Sequence, residues 1–388
     1  MYKVLTLNNI SVAGLEKLPR ETYEIASEIQ HPDAILLRSF KMHDMEIPPS
    51  LKAIGRAGTG VNNIPVDKMS EQGIVVFNAP GANANAVKEL VLAGMLMACR
   101  NIGPAWDFAR GLEGSDDEIS KAVEAGKKNY GGFELPGKTL GVVGLGAIGR
   151  SVANMAEDLG MNVIGFDPGL TVEGAWQISS TVKQASSFDA MLPEVDFITF
   201  HVPLIDVTKN MLNADRVKMM KKGAVVLNFA RNGILDEQAI VDSLQADKLY
   251  GYVCDFPSNL LKEVKGVMTL PHLGASTKDA EDNCAIMVAE NVRDYLENGN
   301  IKFSVNFPEV YMPRAEGTRI TIANSNEPNM VSQISTKLAD AGLNIVDMVN
   351  KSKGDLAYTL VDVNNDVPED VVNAIHDIKG ILSVRILD

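Results

Sequence analysis

Short apolar runs alternate with amphipathic stretches through the first hundred residues. Val4 to Leu7, Ala34 to Leu37, Leu51 to Arg56 and Ile74 to Asn78 are rich in the aliphatic residues of buried strands. Helical spacing fills the intervals, an alternation that predicts α/β structure with parallel strands. A second series of the same kind begins at Lys138 and runs to about Pro271. Between the two, Arg110 to Pro136 turns acidic and then rich in glycine and lysine, which reads as a connecting arm. A helix is expected over Ala280 to Leu296, stopped by Asn298-Gly299-Asn300, because glycine readily takes the left-handed conformation that ends a helix. Ile301 to Gly317 hold two prolines and look like a strand followed by a linker. From Thr318 a separate pattern starts: strand (Arg319 to Asn324), helix (Asn329 to Ala341), two strands (Ile345 to Lys351, Leu356 to Val363), helix (Glu369 to Ile378), strand (Ile381 to Leu387). That βαββαβ order predicts a small ferredoxin-like domain.

Composition narrows the class of function. At 388 residues the chain is long enough for two or three domains. Its longest apolar run, Leu90 to Cys99, is too short to cross a bilayer. The N-terminus, Met1 to Leu7, reads directly as a strand rather than as a leader, so a cytoplasmic location is expected. Cys99, Cys254 and Cys284 have no metal-ligand or disulfide spacing and are expected to be buried. No histidine pairs with another at metal-ligand spacing, so no metal is expected; His31, His43 and His376 look exposed. The methionines, Met95, Met97, Met219 and Met220 among them, read as core. A net charge of −14 repels phosphate backbones and anionic membranes, which argues against either as the main partner. An anionic substrate would need a local basic pocket working against that field.

Lys138 to Arg150 contains Gly144-x-Gly146-x-x-Gly149 directly after an apolar strand and before a helix, Arg150 to Leu159, that closes at Gly160. Gly144 suits a tight turn, Gly146 lets backbone approach a pyrophosphate, and Gly149 allows close helix packing, while the helix N-terminus faces the phosphates. The next strand, Asn162 to Phe166, ends at Asp167, where a carboxylate can accept both ribose hydroxyls and repel a 2′-phosphate. NAD rather than NADP is the expected cofactor.

Two later strand ends carry residues that could do chemistry. Val225 to Gly233 ends a strand with Arg231, and Gly266 to Ala275 ends another with His272. An arginine offers a planar fork for a carboxylate and positive charge beside a carbonyl oxygen. A histidine can take a hydroxyl proton as hydride leaves. Singly, each could be an ordinary surface ion pair or a satisfied ring; together, downstream of a dinucleotide fold, they point to catalysis.

These segments, with Asn228-x-Ala230-Arg231-x-Gly233 and Pro271-His272-Leu273-Gly274-Ala275-Ser276-Thr277, resemble the D-isomer-specific 2-hydroxyacid dehydrogenases. Arg38-Ser39, Gly55 to Val61 and Ser304 to Pro308 resemble segments of the branch that oxidises 3-phospho-D-glycerate to 3-phosphohydroxypyruvate in L-serine biosynthesis. The resemblance covers essentially the whole chain and implies two Rossmann-like doubly wound parallel-sheet domains with a C-terminal ferredoxin-like ACT domain. A substrate domain is expected over 1–98 with 286–310, the NAD domain over 99–285, a linker over 311–317, and the ACT-like domain over 318–388. Substrate is expected in a cleft between the first two. The resemblance implies that Arg231 binds the substrate carboxylate and polarises C2–O, that His272 accepts the proton, and that Arg38, Ser39 and Arg56 bind substrate. Thr59, His201, Val202, Pro203 and Asp255 are then expected at the nicotinamide end. Ala147 and Ile148 join the glycines, and Phe229, Ala230, Gly274 and Ala275 complete the cofactor contacts. A homodimer or homotetramer is expected.

The text departs from the family in one place. The family pairs its histidine with a glutamate shortly after the aspartate matching Asp255, but here Ser258 or Asn259 stands near that place, and Glu263 is the nearest substitute. An imidazolium at position 272 then lacks the carboxylate that would favour it. In the ACT-like stretch, asparagines matching Asn326 and Asn344 bind a small amino acid, which points to L-serine as an effector, although Asn329 replaces the family's glycine. A purely structural pairing domain is the alternative. Lys127 and Lys128 are either a solvated pair or reach a partner's substrate. Two other functions stay open: a glyoxylate or hydroxypyruvate reductase of the same fold, and a non-catalytic NAD(H)-sensing corepressor or scaffold.

Overall fold

Uninterrupted apolar runs become parallel strands buried on both faces. The computed structural model describes residues 1–387. Its first sheet comprises β1 (Tyr2–Leu7), β2 (Tyr23–Ala26), β3 (Ala34–Leu37), β4 (Ala53–Arg56) and β5 (Val75–Phe77), all parallel in the order β2-β1-β3-β4-β5. Every residue of β3 and β5 is buried, as a parallel sheet covered on both faces demands. The edge strand β2 carries no such run, and its half-buried Tyr-Glu-Ile-Ala gave no strand signal.

The second sheet has seven parallel strands: β6 (Thr139–Val143), β7 (Asn162–Phe166), β8 (Lys183–Gln184), β9 (Phe197–Phe200), β10 (Ala224–Asn228), β11 (Leu249–Cys254) and β12 (Val267–Thr269). Their order is β12-β11-β10-β9-β6-β7-β8, doubly wound about β6 and β9. The chain divides into two compact units, Asn83–Ala280 and the remainder on either side. The boundary at 83 lies earlier than the 99 expected, because the helix Ala84–Cys99 buries Val87, Val91, Met95 and Cys99 in the core beneath the seven-stranded sheet. At the other end Cys284, Ala285 and Val288 of the helix Lys278–Asn298 pack into the core of the first sheet, which moves that boundary from 285 to 280.

The stretch expected to be an arm is largely helical. Ile102–Arg110 and Asp116–Gly126 are helices with no buried residue, and Ser115 and Glu118 form a reciprocal capping box at the start of the second. Lys127 pairs with Glu124, both exposed.

The C-terminal sheet is antiparallel, with β13 (Thr318–Ser325), β14 (Ile345–Lys353), β15 (Leu356–Val363) and β16 (Ile381–Leu387) in the order β14-β15-β13-β16, the ferredoxin-like arrangement. One face, with Ile320, Ile322, Val361 and Val363, packs on the helices Met330–Asp340 and Glu369–His376. The other face does not end in solvent: Ala323, Tyr358 and Leu360 belong to the same core as Phe77, Val288, Tyr295 and Phe307. The domain is therefore fused to the first unit rather than hung from a linker. The carbonyls at the C-terminal end of Lys278–Asn298, which have no partner within the helix, are taken by side chains of this domain. Arg385 donates to Leu296 at 2.9 Å, Arg319 to Asn298 at 2.9 Å, and the Tyr358 hydroxyl to Gly299 at 2.8 Å.

The three cysteines are free and buried. Met95 and Met220 are core, but Met219 is 42% exposed, contrary to the core role expected of it. No helix among the described residues is long and apolar enough to cross a membrane.

Candidate active site

The strand order of the larger sheet sets the site. Its C-terminal edge presents, in spatial sequence, Asp167 after β7, the glycine turn after β6, His201 after β9, Arg231 after β10, Asp255 after β11 and His272 after β12. Neighbouring strands lie about 4.8 Å apart, so these residues form one row across the crevice where doubly wound sheets bind their ligands.

The glycine turn is built as its sequence requires. Gly144 has φ +87°, and a Cβ on Gly149 would stand 1.8 Å from the Gly144 carbonyl, so the helix Ala147–Asp158 can approach the strand only without side chains there. A Cβ on Gly146 would meet nothing, which leaves the surface before the helix N-terminus open to a pyrophosphate. Ala147 and Ile148 form the first turn of that helix. Asp167 is held by two backbone donors, Leu145 and Gly169, each at 2.8 Å. These features fit a bound dinucleotide: amides and a helix dipole for the phosphates, and a fixed carboxylate for the ribose.

His201 shares a 3.1 Å hydrogen bond with Thr199, and desolvation pushes its imidazole down to about 3, so it is neutral at physiological pH. Val202 and Pro203 follow it without regular structure, and the Thr208 hydroxyl donates to the Pro203 carbonyl at 2.6 Å. The turn after β10 is organised by Asn228. Its side-chain oxygen accepts from the Ala230 amide at 3.1 Å, and its nitrogen donates to the Arg231 carbonyl at 2.9 Å. Phe229 is buried below the turn, and Arg231 is presented to solvent.

Asp255 is 1% exposed, and its Oδ2 accepts the Gly274 amide at 3.2 Å. Burial raises its carboxyl from the ordinary aspartate value, opposed chiefly by His272 and then by the Gly274 amide, with a smaller contribution from Arg231. Its Oδ1 is buried with no hydrogen-bond partner among the described residues. His272 has φ +45°, a conformation a non-glycine residue adopts at a cost, and its amide bonds to the carbonyls of Asp255 and Leu270, each at 3.1 Å. Its ring is exposed and packs 5.2 Å from that of Phe256. Gly274 and Ala275 continue this loop. The residues following Asp255 form an irregular loop in which Asn259 and Glu263 are exposed and Ser258 donates to Glu237 at 2.9 Å.

The first unit holds the remaining candidates. Arg38 directly follows β3 and Arg56 ends the adjacent β4, with Ser39 and Thr59 exposed beside them. The Thr59 hydroxyl reaches the Ala79 carbonyl at 3.5 Å, and the Thr59 carbonyl accepts from Asn78 at 2.7 Å.

In the C-terminal domain a cavity of about 140 Å³ lies over the turn after β13, lined by residues that include Asn324, Asn326, Glu327, Ser332 and Asn350. Asn324 is fully buried, and its side-chain oxygen has no hydrogen-bond partner among the described residues. Asn326 lines this cavity, but Asn344 does not: it is exposed and pairs with Asn364 through the backbone amide. Asn329 occupies the glycine position at φ +70°, a region that asparagine tolerates. The roles of Asn228, Phe256 and Asn324 were missed in the sequence because each depends on a partner distant in the chain or on burial.

Residues 92–274 match the family model for the D-isomer specific 2-hydroxyacid dehydrogenase NAD binding domain. The chain is 32% identical over 355 residues to the D-3-phosphoglycerate dehydrogenase of Haemophilus influenzae, covering 88% of this chain and 83% of the relative. Among solved structures it is similar to an NAD-bound 3-phosphoglycerate dehydrogenase of Entamoeba histolytica, with a TM-score of 0.61, 26% identity, and 79% of this chain and 98% of that one covered. A glyoxylate reductase of Paecilomyes thermophila scores similarly, with a TM-score of 0.62 and 26% identity over 78% of this chain and 98% of that one. The glycine turn, the fixed Asp167 and these relatives agree, and the chain belongs to the family of NAD-dependent D-isomer-specific 2-hydroxyacid dehydrogenases.

Proposed function

We propose that the protein oxidises 3-phospho-D-glycerate at C2 to 3-phosphohydroxypyruvate, the first step of L-serine synthesis. The observation that carries the reading is the placing of Arg231 and His272 on either side of buried Asp255, at the ends of three neighbouring strands, in a chain whose relatives bear that activity in their names. Gly144–Gly149 and Asp167 would hold NAD, which would supply the hydride acceptor. Arg231 binds the substrate carboxylate through its planar fork and draws electron density from the C2 oxygen. His272 takes the C2 hydroxyl proton as the C2–H bond gives up its hydrogen with both electrons, leaving C2=O; in reduction the same ring returns the proton. Asp255 ties down Gly274 and so fixes the loop that carries His272, while its free oxygen is available to the nicotinamide amide. Arg38, Ser39 and Arg56 bind the substrate, whose several anionic oxygens need matched donors in so acidic a chain. Two arginines, Arg38 and Arg56, beside neighbouring strand ends, and relatives named for 3-phosphoglycerate support this reading over a glyoxylate or hydroxypyruvate reductase, and a turn built to present Arg231 supports an enzyme over an NAD(H)-sensing scaffold. NADH formation on mixing the protein with NAD and 3-phospho-D-glycerate, with 3-phosphohydroxypyruvate identified as the product, is the test. No NADH from a folded, NAD-binding protein would overturn the reading.

The 140 Å³ cavity favours an effector role for the C-terminal domain. Asn324 and Asn326 offer an amide oxygen and a side chain suited to the ammonium and carboxylate of L-serine, which inhibits on this reading. Inhibition of the full chain by L-serine, lost on Asn326→Ala, is expected; indifference to L-serine would leave a structural domain. The exposed Ile102 and Trp106 support assembly as a homo-oligomer, and three free thiols support a reducing, cytoplasmic setting.

A further inference from the structure

The arginine proposed to hold the substrate already has an anion. Arg38 Nη1 lies 2.6 Å from the Glu281 carboxylate, with the two side chains 35% and 45% exposed. The pair is set in a firm frame. The Arg38 carbonyl accepts from Arg56 Nε at 3.1 Å and from Asn63 at 3.2 Å. Arg56 in turn lies folded over Gly58, where a Cβ would stand 1.8 Å from its Nη1. Cys284, one turn beyond Glu281, is buried under this group, and burial keeps its thiol neutral. Arg38, Arg56 and Glu281 are the charges that act on this buried thiol.

An ion pair this exposed is weakly held, since water screens the attraction and the long side chains lose freedom. A phosphate carries up to two charges and three acceptor oxygens, against one charge and two oxygens for Glu281. It can displace the carboxylate from Arg38. The released Glu281 stands in the first turn of Lys278–Asn298, where the helix dipole favours a negative charge.

We infer that Glu281 is an internal competitor for the substrate phosphate: it occupies Arg38 until substrate displaces it, and it thereby raises KM for phosphorylated substrate. The inference rests on the reading of Arg38 as a substrate ligand. A ligand that does not use Arg38 escapes the competition, so the signature is a selective effect. Initial rates of the full-length protein, its Glu281→Gln and Glu281→Asp variants, and Arg38→Gln are to be measured with 3-phospho-D-glycerate and with D-glycerate at saturating NAD. Glu281→Gln is expected to lower KM for the phosphorylated substrate about two- to fivefold, the range of an exposed pair, with D-glycerate unmoved. Glu281→Asp, whose carboxylate is one methylene shorter, is expected to do the same to a smaller extent. Inorganic phosphate should compete more strongly against Glu281→Gln than against the parent. If Arg38→Gln raises KM for 3-phospho-D-glycerate while Glu281→Gln leaves it unchanged or raises it, Glu281 merely orients Arg38 and the inference is overturned. If Arg38→Gln leaves KM unchanged, Arg38 is not a substrate ligand and the reading beneath the inference fails with it.

Discussion

Arg231 is where charge and geometry separate most cleanly. Its backbone is pinned by Asn228, so a substitution there tests the side chain and not the turn. Arg231→Lys keeps the charge and loses the two-pronged fork, and kcat/KM should fall by at least about 100-fold, the scale of losing one well-placed electrostatic donor. Steady-state kinetics check it, and near-normal values would remove Arg231 from the substrate. Asp167→Ala should weaken NAD binding and narrow the preference over NADP, because the repelling carboxylate is gone; titration with both dinucleotides reads the ratio. Arg231 and Asp167 could be singled out as candidates because each sits at a strand end within a short motif. Asn228 was legible as part of a motif, but its task was not, since nothing in the text says that one amide bridges Ala230 and Arg231. Glu281 gave no signal at all, its partner being 243 positions away by the difference of 281 and 38.

Strands and helices were legible where pattern and propensity agreed. β3, β7, β15 and β16 begin and end where their apolar runs do. The helices of the arm went unread because glycine and lysine drew attention from the Ser115-x-x-Glu118 capping signal. The independence of the small domain was misread for a deeper reason: a strand with both faces apolar does not say which neighbour covers each face. Arg319 shows how closely that domain is joined. It is fully buried, grips Asp362 at 2.7 Å through two nitrogens, and donates to the carbonyls of Asn298, Met312 and Pro313. Arg319→Met leaves Asp362 and three carbonyls unanswered, and should cost about 3–5 kcal/mol, as breaking a buried pair from one side does. Denaturant melts check this, and Arg319→Met with Asp362→Leu should recover part of the loss.

Over the whole molecule, pH acts on folding through groups whose ionisation differs between the folded and unfolded chain. His201 is held down to about 3 when folded and returns to about 6.5 when unfolded. Between those values the unfolded chain binds more protons, so this group's contribution falls as pH drops below about 6.5. The loss of melting temperature from about pH 7 to about pH 5 should therefore be smaller in His201→Gln than in the parent. Function at this scale depends on one discrimination. On the proposed reading Arg38 and Arg56 meet the substrate phosphate, so an acidic chain that relies on them should discriminate against an acid that lacks it. The most direct measurement is the ratio of kcat/KM for 3-phospho-D-glycerate to that for D-glycerate, with NAD saturating. A site built to bind a polar group rejects analogues that lack it, so the ratio should be at least about a hundredfold. Equal efficiency on the two acids would contradict the account.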